Sequence, residues 1–276
     1  MKILILLTTL STILLADFSG MNSGARSLGM GGAYTALAND ATAIFHNPAG
    51  LARINSINIF SSRQKLYGIS NLYSDMIAIA LPTPYLRTGI AIQQINLVGT
   101  YSEKIIYFSS AGIIWTLNRP LRFGFSLKYE NAHVKNYDNA DSPTNFDFDM
   151  GIIYDINKNL FLGYSGKYLA KPEFQFINKK DSIEPVHTIG LCYKWKNSVN
   201  FLIDRSIAKN NTQWHFGTEL WFYDVFASRL GMFDENLTIG FGLKSNLWIL
   251  DIAIVSHEDL GSTYRFSLGI KSKTNE

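Results

Sequence analysis

The sequence predicts an all-β protein: a transmembrane antiparallel β-barrel of about fourteen strands with an N-terminal hatch segment inside its lumen. Two observations lead to this prediction. From residue 54 onward, apolar and polar residues alternate within repeated segments. These segments are connected alternately by short turns and by longer loops. Before residue 54 lies a stretch rich in Gly, Ala, Ser, Thr and Asn, which has too few large apolar residues to build its own core.

The amino terminus has the features of a secretory signal peptide. Met1 and Lys2 precede an apolar run that extends from Ile3 to Leu15 and ends at Ala16. A charged start, an apolar run and a small residue predict a signal peptide over residues 1–20, with cleavage near 16–20. The alternative is a membrane helix, but the run is too short to span a bilayer and no stop-transfer pattern follows it.

Residues 21–53 form the predicted hatch, which contains two clusters that favour tight backbone turns. Pro48 fixes its own φ and pushes Asn47 toward an extended conformation, so the NPAG sequence predicts a tight turn. Residues 40–45 predict a short helix with Asn39 or Asp40 as its cap. The two clusters are centred on residues 29–33 and 47–51.

Residues 54–276 form the predicted barrel. In residues 121–130 and 264–271, one face is uniformly large and apolar, while the other carries charged residues, Ser and Gly. A soluble sheet also alternates, but an apolar face of about nine or ten residues fits a tilted strand that crosses a bilayer. The predicted strands are 54–61, 73–81, 86–95, 104–116, 121–133, 146–155, 160–169, 186–195, 199–204, 213–223, 226–233, 237–244, 248–255 and 264–271.

The connections predict an orientation. Every second strand ends in a short turn, and the others end in longer loops, except at residues 234–235. Because bacterial barrels have short periplasmic turns, we expect an outer-membrane protein of a Gram-negative-type envelope with both termini periplasmic. Aromatic residues near strand ends predict an interfacial belt. They are Trp115, Tyr129, Tyr154, Tyr168, Trp195, Trp248 and Tyr264.

The predicted inward face carries charges of both signs, which indicates a paired network that holds the hatch. Asp147 and Asp149 share one face, but nothing else in the sequence suggests acid–base chemistry, so we expect no enzyme activity. The predicted inward charges are Arg87, Lys104, Arg122, Lys128, Glu130, Asp147, Asp149, Lys167, Lys194, Asp204, Glu219, Arg229, Lys244, Asp251, Arg265 and Lys271.

Apolar residues interrupt the predicted inward face. Two interpretations remain open: these residues pack against the hatch, or they form a pocket for a hydrophobic ligand. The candidate pocket residues are Phe108, Ile153, Phe161, Trp221 and Ile249.

Several functional classes are disfavoured by composition and spacing. The formal net charge is only +3, and no basic cluster interleaved with aromatic residues predicts a nucleic-acid partner. None of the five histidines has metal-ligand spacing, so we expect no metal and no cofactor. The lone Cys192 cannot form an internal disulfide and is expected to be a small side chain in a strand.

The hatch sequence also carries a family resemblance. The pattern SLGMGGAYTALANDATAIFHNPAGLA resembles the N-terminal signature of the outer-membrane barrel superfamily that includes the fatty-acid transporter FadL and the PorV/PorQ family. The resemblance to FadL implies a hatch in the lumen of a fourteen-stranded barrel and passive transport of small hydrophobic molecules. The residues that match its hatch motif are Gly29, Gly31, Gly32, Asp40, Asn47, Pro48, Ala49 and Gly50. The expected partners are outer-membrane lipid and a hydrophobic small molecule.

Two other functions remain open. The compact size is closer to PorV/PorQ relatives, which implies a docking component for secretion-system proteins, with residues 134–145 and 170–185 as its partner surface. A secreted soluble β-protein is the third hypothesis, and it predicts no lipid-facing belt.

Overall fold

The structure, a computed structural model, describes residues 24–116, 119–135, 142–175, 180–234, 236–257 and 261–272. The predicted signal peptide lies outside these residues. From residue 24 onward, two short helices, α1 (Ala25–Leu28) and α2 (Ala43–His46), and a 3-10 helix (Pro48–Arg53) precede the strands. Among the described residues, no helix has the length and apolar character to cross a membrane.

Within the described ranges, sixteen strands follow these helices. They are β1 (Asn58–Lys65), β2 (Leu72–Leu81), β3 (Arg87–Leu97), β4 (Tyr101–Thr116), β5 (Arg119–Val134), β6 (Thr144–Asp155), β7 (Leu160–Lys167), β8 (Glu173–Gln175), β9 (Lys180–Ser182), β10 (Val186–Trp195), β11 (Val199–Ala208), β12 (Asn211–Phe222), β13 (Phe226–Phe233), β14 (Asn236–Lys244), β15 (Trp248–His257) and β16 (Gly261–Lys271).

Fourteen of these strands form a closed antiparallel barrel, which confirms the predicted fold class. Each barrel strand pairs with the barrel strands before and after it in the chain, so that β7 pairs with β10. Strand β1 pairs with β16 to close the ring. The short strands β8 and β9 form a separate hairpin between β7 and β10. Closure pairs every strand edge, which is what a sheet surrounded by lipid requires.

The strands extend further toward the loop end than the sequence predicts. Strand β11 continues to Ala208, so only residues 209–210 connect it to β12, and residues 98–100 connect β3 to β4. The two longest connections are 135–143 and 168–185. The difference in length between loops and turns is therefore smaller than predicted, because polar residues at the loop end continue the strand pairing.

The outward face of the barrel is an apolar surface. Large aliphatic and aromatic side chains cover it along the strands, and Trp115, Trp195 and Trp248 are exposed at strand ends beside the short turns. An apolar band flanked by aromatic residues is the surface that a bilayer-spanning barrel presents to lipid. Tyr168 is the exception in the predicted belt, because it is buried among apolar residues at the loop end.

The predicted inward phase holds for most strands but is wrong for β4. In β4 the buried side chains include Glu103, Ile105 and Tyr107, so Lys104 and Phe108 point outward. Both faces of this strand carry apolar residues, and alternation therefore does not fix its phase. A shift of one residue moves every side chain to the other face. Phe108 is thus removed from the predicted lumen pocket.

Residues 24–53, which we call the plug, lie inside the barrel. Almost all of them are buried. Helix α1 contacts β14, β15 and β16, whereas the 3-10 helix contacts β3, β4, β5 and β6 on another part of the wall. The plug therefore crosses the lumen. Most of its apolar side chains join those of the wall in one core, whereas Ala25 and Leu28 pack with Ala253 and Val255 in a smaller cluster.

Candidate functional site: the plug and its seat in the lumen

The barrel wall has glycines where the plug backbone passes. A Cβ atom at Gly124 would lie 2.3 Å from the Ala49 amide nitrogen, and one at Gly231 would lie 2.1 Å from the Gly31 amide nitrogen. The plug main chain therefore contacts the strand main chain at a distance that only glycine permits. We call these inward-facing residues the glycine groove: Gly124, Gly151, Gly163, Gly217, Gly231 and Gly240.

The glycines of the hatch motif have matching roles on the plug side. A Cβ atom at Gly29 would lie 2.9 Å from the Cα of Gly240. Gly31 has a φ of +64°, and a Cβ there would lie 2.6 Å from the backbone of Met232. Within the plug, a Cβ at Gly50 would lie 2.6 Å from the Ala38 carbonyl oxygen. Gly29 and Gly31 allow the plug and the wall to approach each other without side chains between them, and Gly50 allows the same close approach within the plug.

The NPAG turn anchors the plug to β6. Asn47 is extended, as predicted, and its side-chain amide donates hydrogen bonds to the carbonyl oxygens of Thr35 at 2.9 Å and Ile152 at 3.2 Å. Its Oδ1 accepts a hydrogen bond from the Ala49 amide at 3.1 Å, and Pro48 begins the 3-10 helix. The sequence predicts the turn, but it gives no sign that Asn47 also binds the barrel wall.

Asp40 organises the polar side of the plug. Its Oδ1 accepts hydrogen bonds from the amide of Thr42, at 3.0 Å, and from the Thr42 hydroxyl. Its Oδ2 accepts hydrogen bonds from the Tyr34 hydroxyl at 2.7 Å and from Arg26 at 3.1 Å. The sequence predicts a helix over residues 40–45 with Asn39 or Asp40 as its cap, but the helix is α2, which begins at Ala43 with Thr42 as its N-cap. The sequence does not predict the pairing of Asp40 with Arg26.

A chain of alternating charges connects the plug to the wall. Arg26 donates to both carboxylate oxygens of Glu219, from Nε at 2.8 Å and from Nη2 at 2.9 Å. Glu219 also accepts a hydrogen bond from Arg229 Nε at 2.9 Å, and Arg229 Nη1 lies 2.8 Å from Asp251. We call Asp40, Arg26, Glu219, Arg229 and Asp251 the charge latch. Buried pairs of this geometry are costly to break, because each loss leaves an uncompensated charge.

The charge latch sets the ionisation of its plug residues. Burial by itself raises the pKa of the Asp40 carboxyl group, but the Arg26 charge and the hydrogen bonds from Thr42 and Tyr34 outweigh burial and lower this pKa. Burial lowers the pKa of Arg26, but the charge and hydrogen bond of Glu219, together with the charges of Tyr34 and Asp40, outweigh burial and raise this pKa. Both plug residues therefore remain charged at neutral pH.

A second charge cluster lies nearer the loop end. Lys128 Nζ contacts Asp147, lies 2.9 Å from Asp149 and lies 3.5 Å from Glu130. Asp149 also accepts a hydrogen bond from the Tyr168 amide at 3.0 Å, and Asp147 accepts one from the amide of Ala170 at 2.9 Å. These carboxylates hold the connection that follows β7, so their contacts support the structural interpretation over a catalytic pair.

Four of the five predicted pocket residues point inward, but they are spread around the wall: Ile153 and Phe161 lie on the paired strands β6 and β7, whereas Trp221 lies on β12 and Ile249 on β15. Ile153 and Phe161 are buried, Trp221 lies beneath Arg229, and Ile249 faces the lumen near Asp251. Phe108 is 53% exposed and faces outward, so its assignment to the lumen is wrong. A cavity of about 30 Å³, large enough for water, is lined by Ile249 but by none of the other four.

Cys192 and Asp204, which were singled out in the sequence, both face the lumen. Cys192 is buried on β10, and it pairs in register with Phe161 of β7. Asp204 accepts hydrogen bonds from the amides of Tyr34 and Thr35, both at 2.9 Å. Within the described ranges, no group of His, Cys, Asp and Glu side chains is arranged to hold a metal ion.

These features define a closed fourteen-stranded barrel whose lumen holds an N-terminal plug. No family profile matches the sequence, and no curated protein is detectably similar to it. Solved structures do share its architecture, and they allow the fold to be identified.

The toluene transporter TbuX of Ralstonia pickettii is 12% identical, with a TM-score of 0.64 over 94% of this chain and 100% of that one. The monoaromatic hydrocarbon channel CymD is 12% identical, with a TM-score of 0.66 over 91% and 98% of the two chains. A FadL homologue of Pseudomonas aeruginosa is 11% identical, with a TM-score of 0.61 over 92% and 98%. The chain therefore has a FadL-like barrel fold.

Proposed function

We propose that this protein is an outer-membrane barrel through which small hydrophobic molecules pass passively, with the plug controlling the passage. The observation that carries the proposal is the plug seated inside a closed barrel of FadL-like fold. The apolar outward face supports a membrane location. The structurally similar proteins described as a toluene transporter and a monoaromatic hydrocarbon channel support the class of substrate.

The proposal includes an orientation. Strand β1 begins and β16 ends at the short-turn end of the barrel, where Asn58 pairs with Lys271. Short turns face the periplasm in bacterial barrels, so we place both ends of the barrel on that side. The predicted signal peptide supports export to this compartment.

Passage requires the plug to move, because the plug contacts distant parts of the wall at the same time. A disulfide between the plug and the wall tests this requirement. The Ala25 amide donates a hydrogen bond to Ser267 Oγ at 2.8 Å, so these two small residues are close enough for a cysteine pair. The experiment uses Ala25→Cys with Ser267→Cys in a Cys192→Ala background.

The readout is the initial rate of labelled toluene uptake by intact Gram-negative cells that lack other hydrocarbon channels. We expect the protein to raise this rate above that of cells without it. Oxidation of the cysteine pair is expected to abolish the gain, and a reductant is expected to restore it, while Cys192→Ala alone transports under both conditions. Uptake equal to that of cells without the protein would refute the proposed function, and uptake by the oxidised pair would refute plug movement.

The docking role implied by the PorV/PorQ resemblance is a separate proposal with its own test. It requires a partner at the loop end, around residues 135–143 and 168–185. The docking role would be favoured if the barrel captures a secretion-system protein, if shortening these loops abolishes the capture, and if the barrel gives no toluene uptake.

A further inference from the structure

A polar and basic surface covers the outward face of five adjacent strands at the loop end. Strand pairing places one residue from each strand side by side in a row: Arg63, Asp75, Gln94, Lys104 and Asn131. A second row lies one step nearer the loops: Lys65, Tyr73, Asn96, Ser102 and His133. Directly paired residues of antiparallel strands share a face, and all of these side chains are exposed or half-buried. We call the two rows the loop-end patch.

The loop-end patch borders directly on the apolar band. The next two outward rows toward the middle of the strands consist almost entirely of large apolar residues: Ser61, Ile77, Ile92, Ile106 and Tyr129, then Ile59, Ile79, Ile90, Phe108 and Leu127. The polarity of the surface therefore changes within one step of two residues, or about 7 Å. Strand β16 limits the patch on one side, because Phe266 lies opposite Arg63. The patch thus lies where hydrocarbon gives way to lipid headgroups.

The loop-end patch has an excess of positive charge. Arg63 Nε and Nη2 lie 2.8 and 3.0 Å from the two carboxylate oxygens of Asp75, and the Arg63 side chain is 69% exposed. Lys65 and Lys104 form no ion pair with any residue that the structure describes. Three cations thus share one carboxylate at the boundary of the apolar band, and cations near a membrane surface attract anionic headgroups.

The spacing of the cations indicates the size of a matching headgroup. Adjacent strands lie about 4.8 Å apart, so the main chains at Arg63 and Lys104, which are three strands apart, are separated by about 14 Å. This separation suits a headgroup with two phosphates better than one with a single phosphate. Between these cations, Gln94 Nε2 donates a hydrogen bond to Asn96 Oδ1 at 3.1 Å. The two side-chain amides retain donors and acceptors that match sugar hydroxyls.

We propose that the loop-end patch binds the headgroup of a phosphorylated glycolipid of the outer leaflet. One phosphate contacts Lys104, the other contacts Lys65 and Arg63, and the sugar hydroxyls contact the amides between them. The acyl chains lie along the apolar rows of β2, β3 and β4. The inference rests on the proposed orientation, which places the loop end outside, but it does not require transport, because the lipid stays outside the barrel.

The test compares diphosphoryl lipid A with lipid A from which both phosphates have been removed. Binding to the full purified chain in detergent is measured by native mass spectrometry over a lipid titration. We expect the phosphorylated lipid to bind at least about tenfold more tightly. Lys104→Gln is expected to weaken its binding by about fivefold, and Lys104→Gln with Lys65→Gln by roughly 25-fold, because each removes one cation near the membrane surface.

Lys209→Gln is the matched control. Lys209 lies at the loop end between β11 and β12, on another part of the wall, and its side chain is 64% exposed. This variant loses the same charge from the same end of the barrel, so we expect it to bind the phosphorylated lipid as the unmodified chain does. Equal losses in Lys104→Gln and Lys209→Gln would overturn the site.

A variant with the opposite effect makes the test sharper. Asp75→Asn removes the carboxylate that competes for Arg63, so the phosphorylated lipid should bind more tightly. Retained heat-dependent gel mobility shows that each variant still folds as a barrel. Equal binding of the two lipids, or displacement of the lipid by an equal concentration of inorganic phosphate, would overturn the proposal. Toluene uptake reports on the proposed function separately, and we expect Lys104→Gln to leave it unchanged.

Discussion

At the scale of single residues, Glu219 holds the charge latch together. It is fully buried and accepts hydrogen bonds from Arg26, from Arg229 and, at 2.8 Å, from Asn200. Glu219→Gln removes the negative charge that balances two buried guanidinium groups, those of Arg26 and Arg229. We expect it to lower the free energy of unfolding by about 3–5 kcal/mol. Urea titration of the barrel in detergent micelles, followed by tryptophan fluorescence, measures this change.

The matched control is an exposed ion pair on the same barrel. Asp75 pairs with Arg63 at 2.8 Å, but the Arg63 side chain is mostly exposed. Asp75→Asn should therefore cost only about 0–1 kcal/mol. If both variants unfold at the same urea concentration, the charge latch does not stabilise the folded barrel.

Single glycines of the groove decide whether the plug can be seated. Gly231→Ala places a Cβ atom 2.1 Å from the Gly31 amide nitrogen, and main chain cannot yield as a flexible side chain does. We expect the plug to be displaced and small solutes to enter. The measurement is the rate of nitrocefin hydrolysis by a periplasmic β-lactamase in intact cells.

Gly269→Ala serves as the control for this prediction. Its added Cβ would meet the side chain of Ile249, at 2.7 Å, rather than the plug backbone. The Ile249 side chain can rotate away, so hydrolysis should remain at the wild-type rate. Equal rates in the two variants would show that the groove does not control the seal.

At the scale of elements, the plug should respond to acid through Asp40. The pKa of this carboxyl group is lowered in the folded protein, so it binds a proton less readily there than in an unseated plug. Its contribution to seating is complete above the ordinary aspartate pKa of about 4 and is lost as the pH falls through the lowered value. We expect conductance in planar bilayers to rise in that acidic range, and Asp40→Asn to be conductive at neutral pH.

Elements also show how far the sequence predicts the structure. Strands such as β5 and β16 were predictable because their two faces differ clearly in polarity. The phase of β4 was not predictable from periodicity, because Ile105 and Ile106 are both apolar, and Phe108 was misplaced for the same reason. The composition of the plug predicted its place inside the barrel. Its pairing of Arg26 with Glu219 joins residues 193 positions apart, which local patterns do not encode.

At the scale of the whole molecule, the outward apolar surface should tolerate charge only near its edges. Leu230 lies within β13 and is 55% exposed, whereas Leu81 is the last residue of β2. Leu230→Arg should destabilise the barrel in lipid vesicles by about 2–4 kcal/mol, and Leu81→Arg by about 0–1 kcal/mol. Urea titration in vesicles measures both, and equal costs would refute the assignment of this face to lipid.

The glycine groove also has a consequence for biogenesis. Its glycines come from strands as far apart as β5 and β14, so the complete seat exists only after the sheet has closed. The plug is synthesised before the strands, but it must therefore pack into its seat after the barrel has closed. An intermediate that inserts into the membrane before β1 pairs with β16 has no seated plug to block its lumen. Cells that accumulate such intermediates should therefore become permeable before the amount of the folded barrel falls.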